Sequence, residues 1–258
     1  MEQLYVTTPV AHLIQAFETF PDLAVAPEIF INANDLRQPD TLASFHAIAR
    51  RLQDLEMSCT IHGPFIDLSP GGFDPDVVAL TNKRFLQTFE LAAIIHPRVV
   101  VFHSGYDRWK YALNLSLWLE NSKRFWTPLL EEAEKTNTFI ALENIFEVSP
   151  IGLKTLFEAL DSPRLGACFD VGHWHLFGTT TLDEWLTVLG PHIFAFHLHD
   201  NAGEADDHLV PGEGTIDFMA LKQHTSALQI KPLSYTFEPH NRQDIARGVA
   251  WFRQNYGL

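Results

Sequence analysis

The sequence predicts an α/β fold, a single (β/α)8 TIM barrel spanning residues 1–258. Three observations carry this expectation. Short, β-rich apolar runs alternate with longer segments of helical period along the whole chain. Eight such runs occur, each followed by a helical segment, with no linker, composition shift or internal repeat between them. A length of 258 residues with 46% apolar side chains also suits one barrel with a sizeable core.

The elements follow in order. The first strand, 4–7, is the shortest of the eight, and a short helix at 11–20 follows it. A strand at 25–31 leads to a helix at 40–55, where Leu42, Phe45, Ile48, Ala49 and Leu52 form one stripe and Asp40 or Thr41 serves as N-cap. The strand at 58–62 ends in a connection at 63–75, rich in Gly and Pro, that reads as a loop covering the site. The helix at 76–95 carries Val77, Leu80, Phe85, Leu86, Phe89 and Ala93. A strand at 99–103 precedes a long helix at 115–136, which Pro128 is expected to kink or divide. Strands at 139–143, 166–170, 193–197 and 234–238 alternate with helices at 150–160, 182–189, 217–228 and 243–256.

Net charge is −14. Nucleic acid duplexes are bound mainly by neutralising phosphates with Lys and Arg, so this balance speaks against a duplex partner and, more weakly, against anionic membranes. Cys59 and Cys168 sit in apolar strands and read as reduced core thiols. The N-terminus, from Met1, has no basic segment leading into an apolar run, and no apolar run is long enough to span a bilayer, so a cytoplasmic protein is expected.

Six consecutive strands end in an imidazole or a carboxylate. The residues are His62, His103, Glu143, Asp170 (with His173 just beyond), His197 and Glu238. In a parallel barrel all these ends open onto one face. Carboxylates gathered there are costly without a cation, and mixed His and carboxylate donors suit Zn²⁺, Mn²⁺ or Fe²⁺ better than Mg²⁺ or Ca²⁺. Aromatic residues in the loops beyond, Phe65, Tyr106, Trp109 and Trp174, offer an apolar wall for a substrate, the alternative being helix-to-barrel packing. Glu28 faces the cavity in this reading, and Glu147 lies behind the ligands.

These strand ends, with Asp206-Asp207-His208 and Gly212-Glu213-Gly214, resemble the xylose isomerase-like TIM barrel superfamily over nearly the whole chain. That group includes sugar and sugar-phosphate isomerases and epimerases and the endonuclease IV-like nucleases. The resemblance implies a core metal set of Glu143, Asp170, His197 and Glu238, with Glu143 and Glu238 also the catalytic acid/base pair. It further implies that His62, His103, His173, Asp206 and His208 either contact substrate or bind additional metal.

Two enzymatic readings follow from the resemblance. In the first, one divalent ion serves a proton transfer through an enediolate on a small substrate, a sugar or phosphorylated sugar. In the second, up to three zinc ions serve a metallohydrolase of the phosphodiesterase or abasic-site endonuclease type. An arginine usual in the epimerases shortly after the strand-seven histidine is absent from His197-Leu198-His199-Asp200-Asn201. A third reading is a non-catalytic barrel that binds a small molecule or a metal.

Overall fold

Residues 3–258 are described by a computed structural model of the chain, so Met1 and Glu2, where the N-terminal expectation begins, lie outside the described residues. Eight strands close into a parallel barrel in sequence order. They are β1 (Leu4–Pro9), β2 (Ala26–Phe30), β3 (Thr60–His62), β4 (Val99–His103), β5 (Phe139–Glu143), β6 (Leu165–Asp170), β7 (Ile193–Leu198) and β8 (Ser234–Phe237). The first strand closes the ring by pairing with both β2 and β8.

The outer helices are α1 (Leu13–Thr19), α2 (Thr41–Asp54), α3 (Pro75–Ile95), α4 (Leu115–Thr136), α5 (Ile151–Leu160), α6 (Val171–Phe177), α7 (Leu182–Leu189), α8 (Phe218–Ala227) and α9 (Ile245–Trp251). α9 runs into a wider π-helical turn, Phe252–Tyr256. The outward faces of the strands meet these helices in an aromatic layer. Trp118, Trp126 and Trp185 are fully buried there, and Phe85 stacks on Phe102 with ring centroids 4.0 Å apart.

Several local expectations change. α4 runs through Pro128 as one undivided helix. Proline removes one backbone hydrogen bond, and the buried Phe125, Trp126 and Leu129 hold the helix against the barrel on either side of that loss. On α2, Phe45, Ile48 and Leu52 are buried, whereas Leu42 in the first turn is 54% exposed. Asp40 occupies the N-cap position of α2 but its side chain makes no capping bond. α3 begins at Pro75, with the Asp74 carboxylate accepting the Asp76 N–H at 2.8 Å. Both cysteines are free and buried. No helix among the described residues is long and apolar enough to cross a membrane.

α6 was not anticipated, and it matters for the site. It follows β6 without a loop, because Asp170 caps it: Oδ1 accepts the His173 N–H at 2.7 Å. Gly172 is required by a close approach, since a Cβ there would lie 2.0 Å from the His199 ring.

Candidate metal centre

Strand parity builds the floor of the site. Side chains alternate across a strand, so Val99 and Val101 on β4 share a face with His103. In the same way Ala141 precedes Glu143, Cys168 precedes Asp170, and Ala195 precedes His197. The small residues pack together inside the barrel as a plug, and the polar residues stand one layer above it. Register then pairs them across strands, His103 with Glu143 and Asp170 with His197.

Glu143 is the hub of this layer. Its carboxylate lies 3.0 Å from His62 Nε2, 3.1 Å from His173 Nδ1, and 3.5 Å from both His103 Nε2 and His197 Nδ1. Burial works to raise its pKa, but His197 and His173, both close to it, outweigh burial and hold it well below the usual carboxylate range. His197 Nδ1 is in turn 3.3 Å from Glu238 and 3.8 Å from Asp170. Two strand-end carboxylates, with Glu238 one residue beyond β8, therefore surround one imidazole nitrogen.

The hydrogen-bond partners leave a place for a proton or a metal ion between imidazole and carboxylate. His62 Nδ1 sits 2.9 Å from the Gly63 carbonyl, which can only accept, so Nδ1 carries a proton. A neutral ring then turns the Nε2 lone pair towards the Glu143 carboxylate, an arrangement that is stable only with a proton or a metal ion between them. The same pattern recurs at His208. Its Nδ1 donates to the Glu238 carbonyl at 2.6 Å, while Nε2 faces Asp206 at 3.2 Å. Burial lowers the His208 pKa, and the Asp206 hydrogen bond outweighs it, leaving the value at about 9.

His173 Nδ1, both nitrogens of His197 and His199 Nδ1 are buried without an aligned hydrogen-bond partner among the described residues. Carboxylate oxygens nevertheless stand 3.1 to 3.8 Å from them. Donors close to one another but out of line are what ligands around a shared ion look like, so the residues fit a divalent metal. A second group lies nearer the mouth, where His173, His199, Asp206 and His208 each offer an atom within 4.8 Å of the others. His103 differs from the rest. Burial drives its pKa down to about 3 against the pull of Glu143, which keeps an unprotonated imidazole beside the floor.

All nine expected donor positions thus converge. Seven of them line a cavity of about 740 Å³, and Asp170 and His197 lie behind it. Of the expected wall, Phe65 and Tyr106 line the cavity, but Trp109 and Trp174 do not. Trp109 lies in a turn and is 69% exposed. Trp174 belongs to α6, where its indole donates to the Thr180 carbonyl at 3.1 Å and its ring packs on the core.

Glu28 corrects a further expectation, for it is fully buried beneath the floor and does not line the cavity. Thr60 and Thr236 donate to it at 3.0 and 2.9 Å, and His197 Nε2 is 3.1 Å away. Placed there, Glu28 holds the ring so that Nδ1 faces the other carboxylates. The residue overlooked as a donor is His199, whose Nε2 is 3.1 Å from Asp170. Its signal was present in the sequence, two residues after His197 and with the same parity.

Glu147 stands behind the site as expected. Ser104 Oγ donates to one carboxylate oxygen, and the Ile145 N–H donates to the other at 2.7 Å. Burial pushes its pKa up to about 7, the hydrogen bonds opposing, against 4.5 in an unfolded chain. The folded state therefore binds a proton that the unfolded state has already lost, and stability falls as pH rises from about 4.5 to about 7. A shift of that size corresponds to ~3 kcal/mol. Urea unfolding is expected to show the native chain losing stability relative to Glu147→Gln across this window, and parallel pH curves would contradict it.

A family description, xylose isomerase-like TIM barrel, matches residues 22–255. Among curated proteins, the uncharacterized protein MJ1311 of Methanocaldococcus jannaschii is 33% identical over 64% of this chain and 58% of its own length. The uncharacterized protein y4fM of Sinorhizobium fredii is 29% identical over 57% of this chain and 49% of its own. The chain thus spans about half the length of these curated relatives. Among solved structures, the TTHB071 protein from Thermus thermophilus, soaked with ZnCl2, superposes with a TM-score of 0.83 at 24% identity, over 99% of this chain and 98% of its own. A D-psicose 3-epimerase crystallised in the presence of D-fructose gives 0.81 at 12% identity, over 99% and 100%. These superpositions agree with the closed barrel, and the match over residues 22–255 establishes the family: the chain belongs to the xylose isomerase-like TIM barrel proteins.

Proposed function

We propose that the chain is a divalent-metal-dependent isomerase or epimerase of a small sugar or sugar phosphate, with Zn²⁺ or Mn²⁺ as the ion and Fe²⁺ as a further fit. The observation that carries this reading is the approach of Glu143, Asp170 and Glu238 to His197 Nδ1, at 3.3 to 3.8 Å, at the cavity floor. Structures named for epimerases of D-psicose and L-ribulose share the fold, which supports a keto-sugar substrate.

Glu143, Asp170, His197 and Glu238 would hold the ion. A bound divalent ion supplies Lewis acidity, stabilising negative charge that develops on neighbouring substrate oxygens. Glu143, ringed by imidazoles, stays ionised and anchored. Glu238 is less tightly held, with Thr7 Oγ1 donating to its Oε1 at 2.8 Å, and it reaches the cavity. In this reading Glu238 takes a proton from the carbon beside a carbonyl and returns it to the neighbouring carbon in an isomerisation, whereas an epimerisation needs Glu143, the other member of the acid/base pair, to exchange the proton on the opposite face. His62, His103 and His173 line the same space and meet substrate hydroxyls.

The outer group of His173, His199, Asp206 and His208 favours a second reading, a multinuclear zinc hydrolase of the phosphodiesterase or abasic-site endonuclease type. Metal analysis of protein purified without chelator separates the two. About one Mn, Zn or Fe per chain is expected, with metal-dependent exchange of the substrate's α-proton into D₂O, reversibly lost on chelation. Close to three zinc per chain with phosphodiester cleavage and no such exchange would overturn the isomerase reading.

A further inference from the structure

β1 supplies none of the expected donors, yet a hydroxyl on this strand stands between two carboxylates that flank His197. Register puts it there. Thr7 pairs with Glu28 in the β1–β2 ladder. On the other side Val6 pairs with Phe237, which sets Glu238 one step further along, level with Thr7. Thr7 Oγ1 lies 2.8 Å from Glu238 Oε1 and 3.2 Å from Glu28 Oε1.

A hydroxyl carries one proton, so it can donate to only one of the two. Glu28 is already supplied. Thr60 and Thr236 donate to its Oε2 at 3.0 and 2.9 Å, and His197 Nε2 stands 3.1 Å from its Oε1. The Glu238 carboxylate accepts no other hydrogen bond among the described residues, and its Oε2 faces His197 Nδ1 at 3.3 Å. The shorter distance and the greater need both assign the Thr7 proton to Glu238. Resting on the metal-dependent reading above, we propose that Thr7 is a positioning residue of the site. Its hydroxyl holds Oε1 of Glu238 and thereby keeps Oε2 turned towards His197 Nδ1, where the ion fits. Without that bond the Glu238 side chain is free to swing into the cavity that it lines. Thr7 acts only through Glu238. Groups that orient a metal ligand from behind typically contribute about ten- to hundredfold to metal affinity.

Co²⁺ tests this, because its absorption reports both occupancy and ligand geometry. It is titrated into the metal-free protein, and a thermal midpoint shows whether each variant is folded. Thr7→Val keeps the shape of the side chain and removes the hydroxyl. It is expected to weaken Co²⁺ binding by about tenfold or more and to alter the absorption band. Thr7→Ser keeps the hydroxyl and loses only the methyl group, so it is expected to retain the parent's band and an affinity close to the parent's. A valine variant with the parent's affinity and band would overturn the positioning role and leave the metal reading standing. A serine variant that loses about tenfold or more would overturn it too, and that result holds even where valine prevents folding. No Co²⁺ binding by the unaltered protein would remove the metal reading, and this inference with it.

Discussion

Glu238→Gln is expected to lower turnover by about a thousandfold or more, within the range that general acid–base catalysis contributes, while the fold stays intact. The substitution is close to isosteric. Thr7 Oγ1, 2.8 Å from Oε1, can still donate to an amide oxygen, so the side chain keeps its place. The negative charge and the ability to accept a proton are lost. Three readouts belong together: the α-proton exchange rate, the thermal midpoint and the metal content. A large fall in exchange with metal retained assigns Glu238 to proton transfer. A fall that tracks loss of metal assigns it to holding the ion. Full activity in the Gln variant would dismiss both roles.

Asp200→Ala should produce the largest loss of stability. This residue has no exposed surface, yet its carboxylate accepts four backbone N–H groups, from Asn201 at 2.9 Å, Gly212 at 2.8 Å, Gly214 at 3.0 Å and Ile216 at 3.1 Å. The loop from 201 to 216 is wound around it, and a Cβ on Gly214 would lie 2.3 Å from its Oδ1. Alanine leaves those donors unpaired, at an expected cost of roughly 3–5 kcal/mol. Asp206 and His208 ride on the same loop, so the outer donor group should come apart. Urea unfolding and metal titration check the two effects, and Asp200→Asn, keeping one acceptor oxygen, should fall between. An alanine variant as stable as the parent would refute the anchoring role.

Much of this fold and site is legible in the sequence. Short apolar, β-rich runs mark the strands, and the strand ends mark His62, His103, Glu143, Asp170, His197 and Glu238, because a parallel barrel delivers every strand end to one face; the family resemblance is what singles out four of them as core ligands. What stayed hidden depended on depth and on local bonding. Glu28 has the parity of a floor residue, but sequence does not say that it stops one layer short, ringed by threonine hydroxyls. α6 escaped notice because Val171-Gly172-His173-Trp174-His175 is a poor helix former, and a single carboxylate cap decides its fold. The sequence pattern alone therefore sets Trp174 in a loop. Its side chain turns to the core once the helix exists.

That cap has a further consequence. One oxygen of Asp170 closes the first turn of α6, and the other faces His199 across the floor. The same carboxylate is a term in two equilibria, the winding of a helix and the filling of a site. By thermodynamic linkage, any ligand that engages this carboxylate favourably only when the helix is wound must steady α6 by the factor by which a wound α6 tightens that ligand. Occupancy at the centre of the barrel is thereby written into the opening frequency of amides on its outer layer.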